Sequence, residues 1–195
     1  VDFDRLSTPD LLEMVESIRS RFVTQTYVEV DVINIAADFY MQRAKALLAE
    51  AGLDPVRYLT HGHKTVFNRA IRDAQASPPA RREILVRDLG HRAALDYELA
   101  HPRYREQGKD IETLIELPYP SPTGSTAGDI ELAGMPNAER ISTAVRRAHA
   151  FETLKEDAKH HSLRQVAVLR SAVLAVDRRF DLGGMVFHLT FEEMP

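Results

Sequence analysis

The sequence predicts a mainly α-helical protein of about six helices in one compact domain, with one or two short β-strands. Three observations carry that prediction. Apolar residues recur at helical spacing through most of the chain, and helix start and stop signals punctuate them at Ser7-Thr8-Pro9, Gly52, Ser77-Pro78-Pro79 and Asn137. Near the C-terminus the pattern changes, and Met185, Phe187, Leu189 and Phe191 alternate with smaller or polar residues, as in a strand over 185–191.

A chain of 195 residues, 44% hydrophobic and 28% charged, is long enough to close one core, so residues 1–195 are expected to form a single α-rich domain. Absence of cysteine removes disulfides, thiolate metal sites and cysteine nucleophiles. No apolar stretch approaches the ~20 residues that span a bilayer, and Val1-Asp-Phe-Asp-Arg has neither the basic nor the apolar part of a signal peptide. A cytoplasmic protein without membrane partners is the expectation.

Taken in order, Ser7 or Thr8 caps a helix whose first turn holds Pro9 and Asp10, with Leu11, Val15, Ile18 and Phe22 on one stripe. The β-branched and aromatic run over 22–30 suits a short strand or a joint between helices. From Asp31 a helical stripe of Val32, Ala36, Phe39, Tyr40, Leu47, Leu48 and Ala51 leads to Gly52, placed for a left-handed cap. A helix with Val66, Phe67, Ala70, Ile71 and Ala74 ends before Ser77. After the proline pair, Ile84, Leu85, Leu89, Ala93, Tyr97 and Ala100 extend a helix to His101, with Gly90 marking a kink or a close crossing.

Residues 118–136 hold four prolines and three glycines and form a long loop between a larger N-terminal helical part and a C-terminal helical pair. Residues 129–132 suit a brief strand beside 113–117, and the terminal strand can pair with 22–30, with 113–117 or with a second copy of the chain. Asn137 caps a helix bearing Ile141, Ala144, Val145, Ala148 and Phe151, and Ser162 caps another through Leu163, Val166, Leu169 and Val173.

The net charge of −4 conceals segregation: residues 64–109 are basic, whereas 110–136 contain no cation. Arginines such as Arg69, Arg72, Arg81, Arg82, Arg87, Arg92, Arg146, Arg147, Arg170, Arg178 and Arg179 suit phosphate contacts or solvated faces paired with acids. Aromatics at 7% and a pI near 6.1 disfavour nucleic acid as partner.

Glu98-x-x-His101 places a carboxylate and an imidazole one helical turn apart, the half-site of carboxylate-bridged metal proteins, with Asp157-x-x-His160 as its counterpart and His149 or Glu152 nearby. Eight histidines among many acids make one such pair unsurprising, and no metal is assigned. Thr60-His61-Gly62-His63, with Ser142-Thr143-Ala144-Val145-Arg146, resembles two motifs of nucleotidyltransferases, which line nucleotide phosphates. His101-Pro102-Arg103-Tyr104-Arg105-Glu106-Gln107-Gly108-Lys109 is similar to the active loop of the Fic family. That resemblance implies His101 as base, and Arg105 and Lys109 as phosphate-binding residues, of a nucleotide-dependent transferase; Glu98, one turn before His101, is the second catalytic candidate by its spacing.

No complete catalytic set accompanies these fragments. The sequence therefore points first to a non-enzymatic helical binding or assembly module, its partner another protein or a second copy of itself. The transferase and a phosphate-binding helical protein are the alternatives, and no cofactor is fixed.

Overall fold

The computed structural model describes residues 2–59, 65–107, 110–116, 134–190 and 193. Helix α1 (Thr8–Arg21) starts where expected, with the Ser7 hydroxyl accepting from the Asp10 amide at 3.3 Å and Pro9 in the first turn. A π-helical turn (Phe22–Thr26) joins it without a break to α2 (Tyr27–Glu50), and Gly52 follows in the left-handed region at φ 72. Of the two readings of 22–30, a short strand or a joint between helices, the structure has the joint. Packing against a partner helix overrides local β preference, and the wider π turn carries the β-branched run, with the Thr24 hydroxyl bonding back to Ser20 O.

Short α3 (Pro55–Leu59) leads to α4 (Val66–Ala76), capped by Thr65 through the Asn68 amide at 3.1 Å. A 3-10 turn (Pro78–Ala80) then starts α5 (Arg81–Leu89). A loop follows to the four-residue α6 (Tyr104–Gln107) and a 3-10 segment (Asp110–Ile115). The chain closes with α7 (Ala138–Phe180), 43 residues long, and a 3-10 turn (Met185–His188).

Helices α1 and α2 run antiparallel along α7. Arg178 reaches Asp4 at 2.7 Å, Thr26 donates to Gln165 at 2.9 Å, Lys155 meets Asp38 at 3.6 Å, and Tyr40 stacks on Phe151 at 4.4 Å. At 1.5 Å per residue α7 is a spine of ~65 Å. One apolar cluster joins Leu11 and Val15 to Leu169, Val173 and Val176; a second joins Ala44, Leu47, Leu48 and Tyr58 to Ile141, Ala144 and Ala148. A third, of Ala70, Ile71, Leu85, Leu89, Ile111 and Leu114, holds α4 and α5 together.

Mainly helical character is shown, but no strand forms among the described residues. The expected terminal strand is a 3-10 turn over Met185–His188, and its Val186 is 1% exposed inside the first cluster. Two turn glycines with positive φ, Gly183 and Gly184, and the Asp177 carboxylate accepting from the Gly184 amide at 2.9 Å, fold that segment back onto α7. Residues 113–115, the other expected strand, lie in the 3-10 segment; 117 and 129–132 are outside the described residues, as is most of 118–136.

The expected helices from Asn137 and Ser162 are one helix. No glycine or proline interrupts 138–180, and Ser162 donates to Lys159 O at 2.9 Å instead of capping. Helix α5 stops at Leu89, not at His101. Gly90 marks the end: a Cβ there would lie 2.3 Å from Val86 O and 3.2 Å from Arg105 Cβ, so the site is a helix stop and a close crossing together. No helix among the described residues is long and apolar enough to cross a membrane.

Candidate functional site

The segment from Gly90 to Glu106 carries the residues that the sequence singles out, and it is held down by buried charge. Arg103 is fully buried, and its guanidinium donates to Asp96 O at 2.6 Å and Glu98 O at 3.1 Å. Arg170 on α7 is 5% exposed; it donates to Glu106 Oε2 at 2.9 Å and to Leu99 O, and lies 5.0 Å from the Phe187 ring centroid. Arg92 pairs with Asp96 at 2.6 Å and covers Phe67, while Lys159 reaches the same carboxylate at 3.2 Å. Burial pushes the Asp96 carboxyl up, but the Arg92 hydrogen bond and the charges of Arg92 and Lys159 outweigh it, and the pKa falls below the ordinary value. Side-chain cations here satisfy loop carbonyls that a helix would have paired with amides.

Beneath this loop two histidines meet. The His91 and His160 rings pack edge to face at 4.5 Å, and His91 Nε2 donates to His160 O at 3.1 Å. Burial, then each ring's neighbours, lowers both: His91 to about 3, with His160, Arg164 and Arg105 disfavouring its charge, and His160 to about 4, with Arg164, His161 and Arg92 acting alike against an opposing Asp157. Both are neutral near pH 7.

Within this frame the predicted residues serve the turn. Glu98 accepts from the Ala100 amide at 3.0 Å, His101 Nδ1 lies 3.1 Å from Pro102 O, and the His101 amide donates to Glu98 O at 3.2 Å. Arg105 Nε donates to Gly90 O at 3.2 Å. Lys109 and the 60–63 motif lie outside the described residues. The Fic-like loop therefore contains, at Arg103, a buried structural pin. Ser142 to Arg146 sit on α7, where Arg146 donates to Thr143 Oγ1 at 3.2 Å.

The metal counterpart residues are likewise engaged: Asp157 accepts from the Val66 amide at 2.7 Å and His149 Nε2 lies 2.8 Å from Tyr58 O. Among the described residues no group of three or more His, Asp and Glu side chains is placed to hold a metal. Arg92 and Arg170, read as solvated or phosphate-gripping, are instead in buried ion pairs.

Sequence reasoning missed a second feature, on the outer face of α2. Val30, Ala37 and Ala44, seven residues apart, are buried toward α7. Opposite them Val28, Val32, Ile35 and Phe39 are exposed at 51%, 61%, 70% and 60%. Gln25, Gln42, Ala46 and Ala49 continue the row in both directions, all exposed. The spacing of three and four residues is that of a coiled-coil seam. The expected stripe mixed two faces, since Val32 and Phe39 point outward while Leu47 and Leu48 are buried. A heptad count over 25–49 is the signal that separates them.

No protein-family model, curated protein or solved structure matches the chain at a significant level.

Proposed function

We propose that the protein is a non-enzymatic helical assembly module that pairs with a second copy of itself through the outer face of α2. The observation that carries this is the exposed row Val28, Val32, Ile35 and Phe39 on a helix whose opposite face is already packed. Those four side chains present roughly 450 Å² of apolar surface, against ~800 Å² per partner in a stable interface before flanking groups are added.

Charge supports a parallel pair. In parallel register the flanking position of one helix faces the residue five further along in the other. That sets Asp38 of one copy opposite Arg43 of the other, Lys45 opposite Glu50, Asp31 opposite Ala36 and Thr24 opposite Glu29. No like charges oppose. An antiparallel pair centred on the same row, in which like flanking positions meet, would set Asp31 against Asp38, so parallel register is favoured.

Light scattering across a concentration series is the test. The native chain is expected to pass from monomer to dimer, and Ile35→Glu to stay monomeric with an unchanged helical spectrum. A native chain that remains monomeric at the highest concentrations, or an Ile35→Glu chain that dimerises equally, overturns the proposal.

A further inference from the structure

Between α2 and the start of α7 lies a cleft of about 320 Å³ into which Arg43, Arg140, Arg147 and Thr143 point from its two walls. Its floor is Leu47 and Ala144, and Tyr40, stacked on Phe151, closes one end. A second hollow of about 240 Å³ adjoins it, shares Leu47 and Arg140, and adds Met135, Pro136 and Ile141. Together they reach the size at which small molecules are held.

What marks the cleft is that three arginines without a carboxylate partner among the described residues line it together. Arg5, Arg19, Arg82, Arg87, Arg92, Arg170 and Arg178 each lie against a carboxylate. Arg43, Arg140 and Arg147 make no hydrogen bond or ion pair with a described residue, although all three line the one cleft. Arg140, Thr143 and Arg147 follow one another along a single face of α7, and the antiparallel register brings Arg43 opposite Arg147. The larger cleft has one carboxylate, Glu139, against Arg43, Arg140 and Arg147, a surplus of two positive charges; the adjoining hollow adds Glu50, so the two together carry a surplus of one. At the same end α7 begins with Asn137 in the left-handed region at φ 62, without a side-chain cap, and its positive dipole end adds to the field.

We infer that this cleft binds a small phosphomonoester dianion with an apolar or aromatic body. Converging guanidiniums repel one another until an anion separates them, and their planar forks match phosphate oxygens. The surplus of two charges in the larger cleft suits a dianionic phosphate there, and Leu47, Ala144 and Ile141, toward the hollow that holds Glu50, suit the uncharged organic part. Arg43 also faces Asp38 of the second copy in the proposed pair, so binding is tested on the native chain and on Ile35→Glu, which separates the two proposals.

Phenyl phosphate and inorganic phosphate are titrated into both chains while backbone amide NMR signals are followed. Saturable shifts at residues 140–147, with phenyl phosphate binding more tightly than phosphate, are expected in Ile35→Glu whether or not the native chain pairs. The Arg140→Gln, Arg147→Gln double variant should weaken phenyl phosphate binding at least ~10-fold, since two charge-assisted contacts are lost. Both arginines are exposed, so an unchanged melting curve is the check on folding. Shifts that rise linearly without saturation, or that persist in the double variant, overturn the inference. So does binding to phosphatidic acid vesicles with none to phenyl phosphate, which would place the phosphate on a lipid headgroup.

Discussion

Acidification between pH 6.5 and 5 should destabilise the fold through His91 and His160. Both rings are buried, 2% and 0% exposed, and both are held neutral, with pKa values of about 3 and about 4 against an ordinary 6.5. The unfolded chain therefore binds protons that the folded chain refuses. The stability this represents is fully present above pH 6.5 and is lost as pH falls toward the folded values. At pH 5 each unfolded histidine is almost wholly protonated and each folded one almost wholly neutral. That difference of about 1.5 pH units costs ~2 kcal/mol per ring, or ~4 kcal/mol for the two. Against a typical total of ~5–15 kcal/mol the loss is large.

The carboxyls of Glu16, Asp88, Asp96 and Glu193 are lowered in the fold from ordinary values that lie below this window, so their share of the loss falls mainly at lower pH. Urea unfolding followed by far-UV circular dichroism at pH 7.5 and 5 measures the effect. With a slope of ~2–3 kcal/mol/M, the midpoint should fall by ~1.5–2 M. The control is His91→Gln, His160→Leu, which retains a donor toward His160 O and replaces the second ring by an apolar side chain. This variant should lose little between the two pH values. An equal fall in the native and variant midpoints refutes the reasoning, as does a native midpoint that does not move.

Other substitutions follow from the same geometry. Gly90→Ala would force a Cβ to 2.3 Å from Val86 O, and the shift of α5 against α6 should lower stability by ~1–3 kcal/mol in denaturant unfolding. Arg103→Ala leaves the carbonyls of Asp96 and Glu98 buried without their donors and should cost ~3–5 kcal/mol, whereas Arg82→Ala, which removes an exposed pair at 3.7 Å, should cost under ~1 kcal/mol. Glu106→Ala strands the Arg170 charge and should destabilise by ~3 kcal/mol or more, with Arg170→Met, Glu106→Leu recovering part of the loss in a double-mutant cycle.

The helical class, Ser7 and Gly52 were legible because capping and period are local properties of the chain. The stop at Leu89 was not. Ala93, Tyr97 and Ala100 continue the period of α5, so their spacing reads as helix. What prevents it is non-local: the carbonyls of Gly90, Arg92, Asp96, Glu98 and Leu99 are taken by Arg105, Tyr104, Arg103 and Arg170. Nothing in composition distinguishes a guanidinium that will be buried from one that will be solvated, and so Arg103 went unremarked as a pin. The same limit applies at the C-terminus, where Met185 is exposed, Phe187 is half-buried against Arg170, and it is Val186, out of phase with the alternation, that turns inward in the 3-10 turn. Of the candidate residues, Glu98 and His101 share one turn and are occupied by its backbone groups, whereas Arg105 lies on α6 and bonds the Gly90 carbonyl at the end of α5.

The orientation of α2 bears on how strongly copies would pair. Larger apolar side chains ordinarily face the packed side, yet here Ala37 and Ala44 meet α7 while Ile35 and Phe39 face out. Covering roughly 450 Å² on each of two copies at ~25 cal/mol/Å² is worth at most ~20 kcal/mol. Lost translational and rotational freedom removes ~4–15 kcal/mol, and ordering Arg43, Lys45 and Glu50 at the rim removes more. With these losses totalling ~12–15 kcal/mol, a remainder of ~5–8 kcal/mol corresponds to dissociation constants from about micromolar to ~200 µM. Sedimentation equilibrium across that range should therefore find both species, with Phe39→Ala shifting the midpoint to higher concentration. A dimer that persists far below micromolar concentration would mean that more than the α2 face is buried, and a single species throughout would remove the seam from the account.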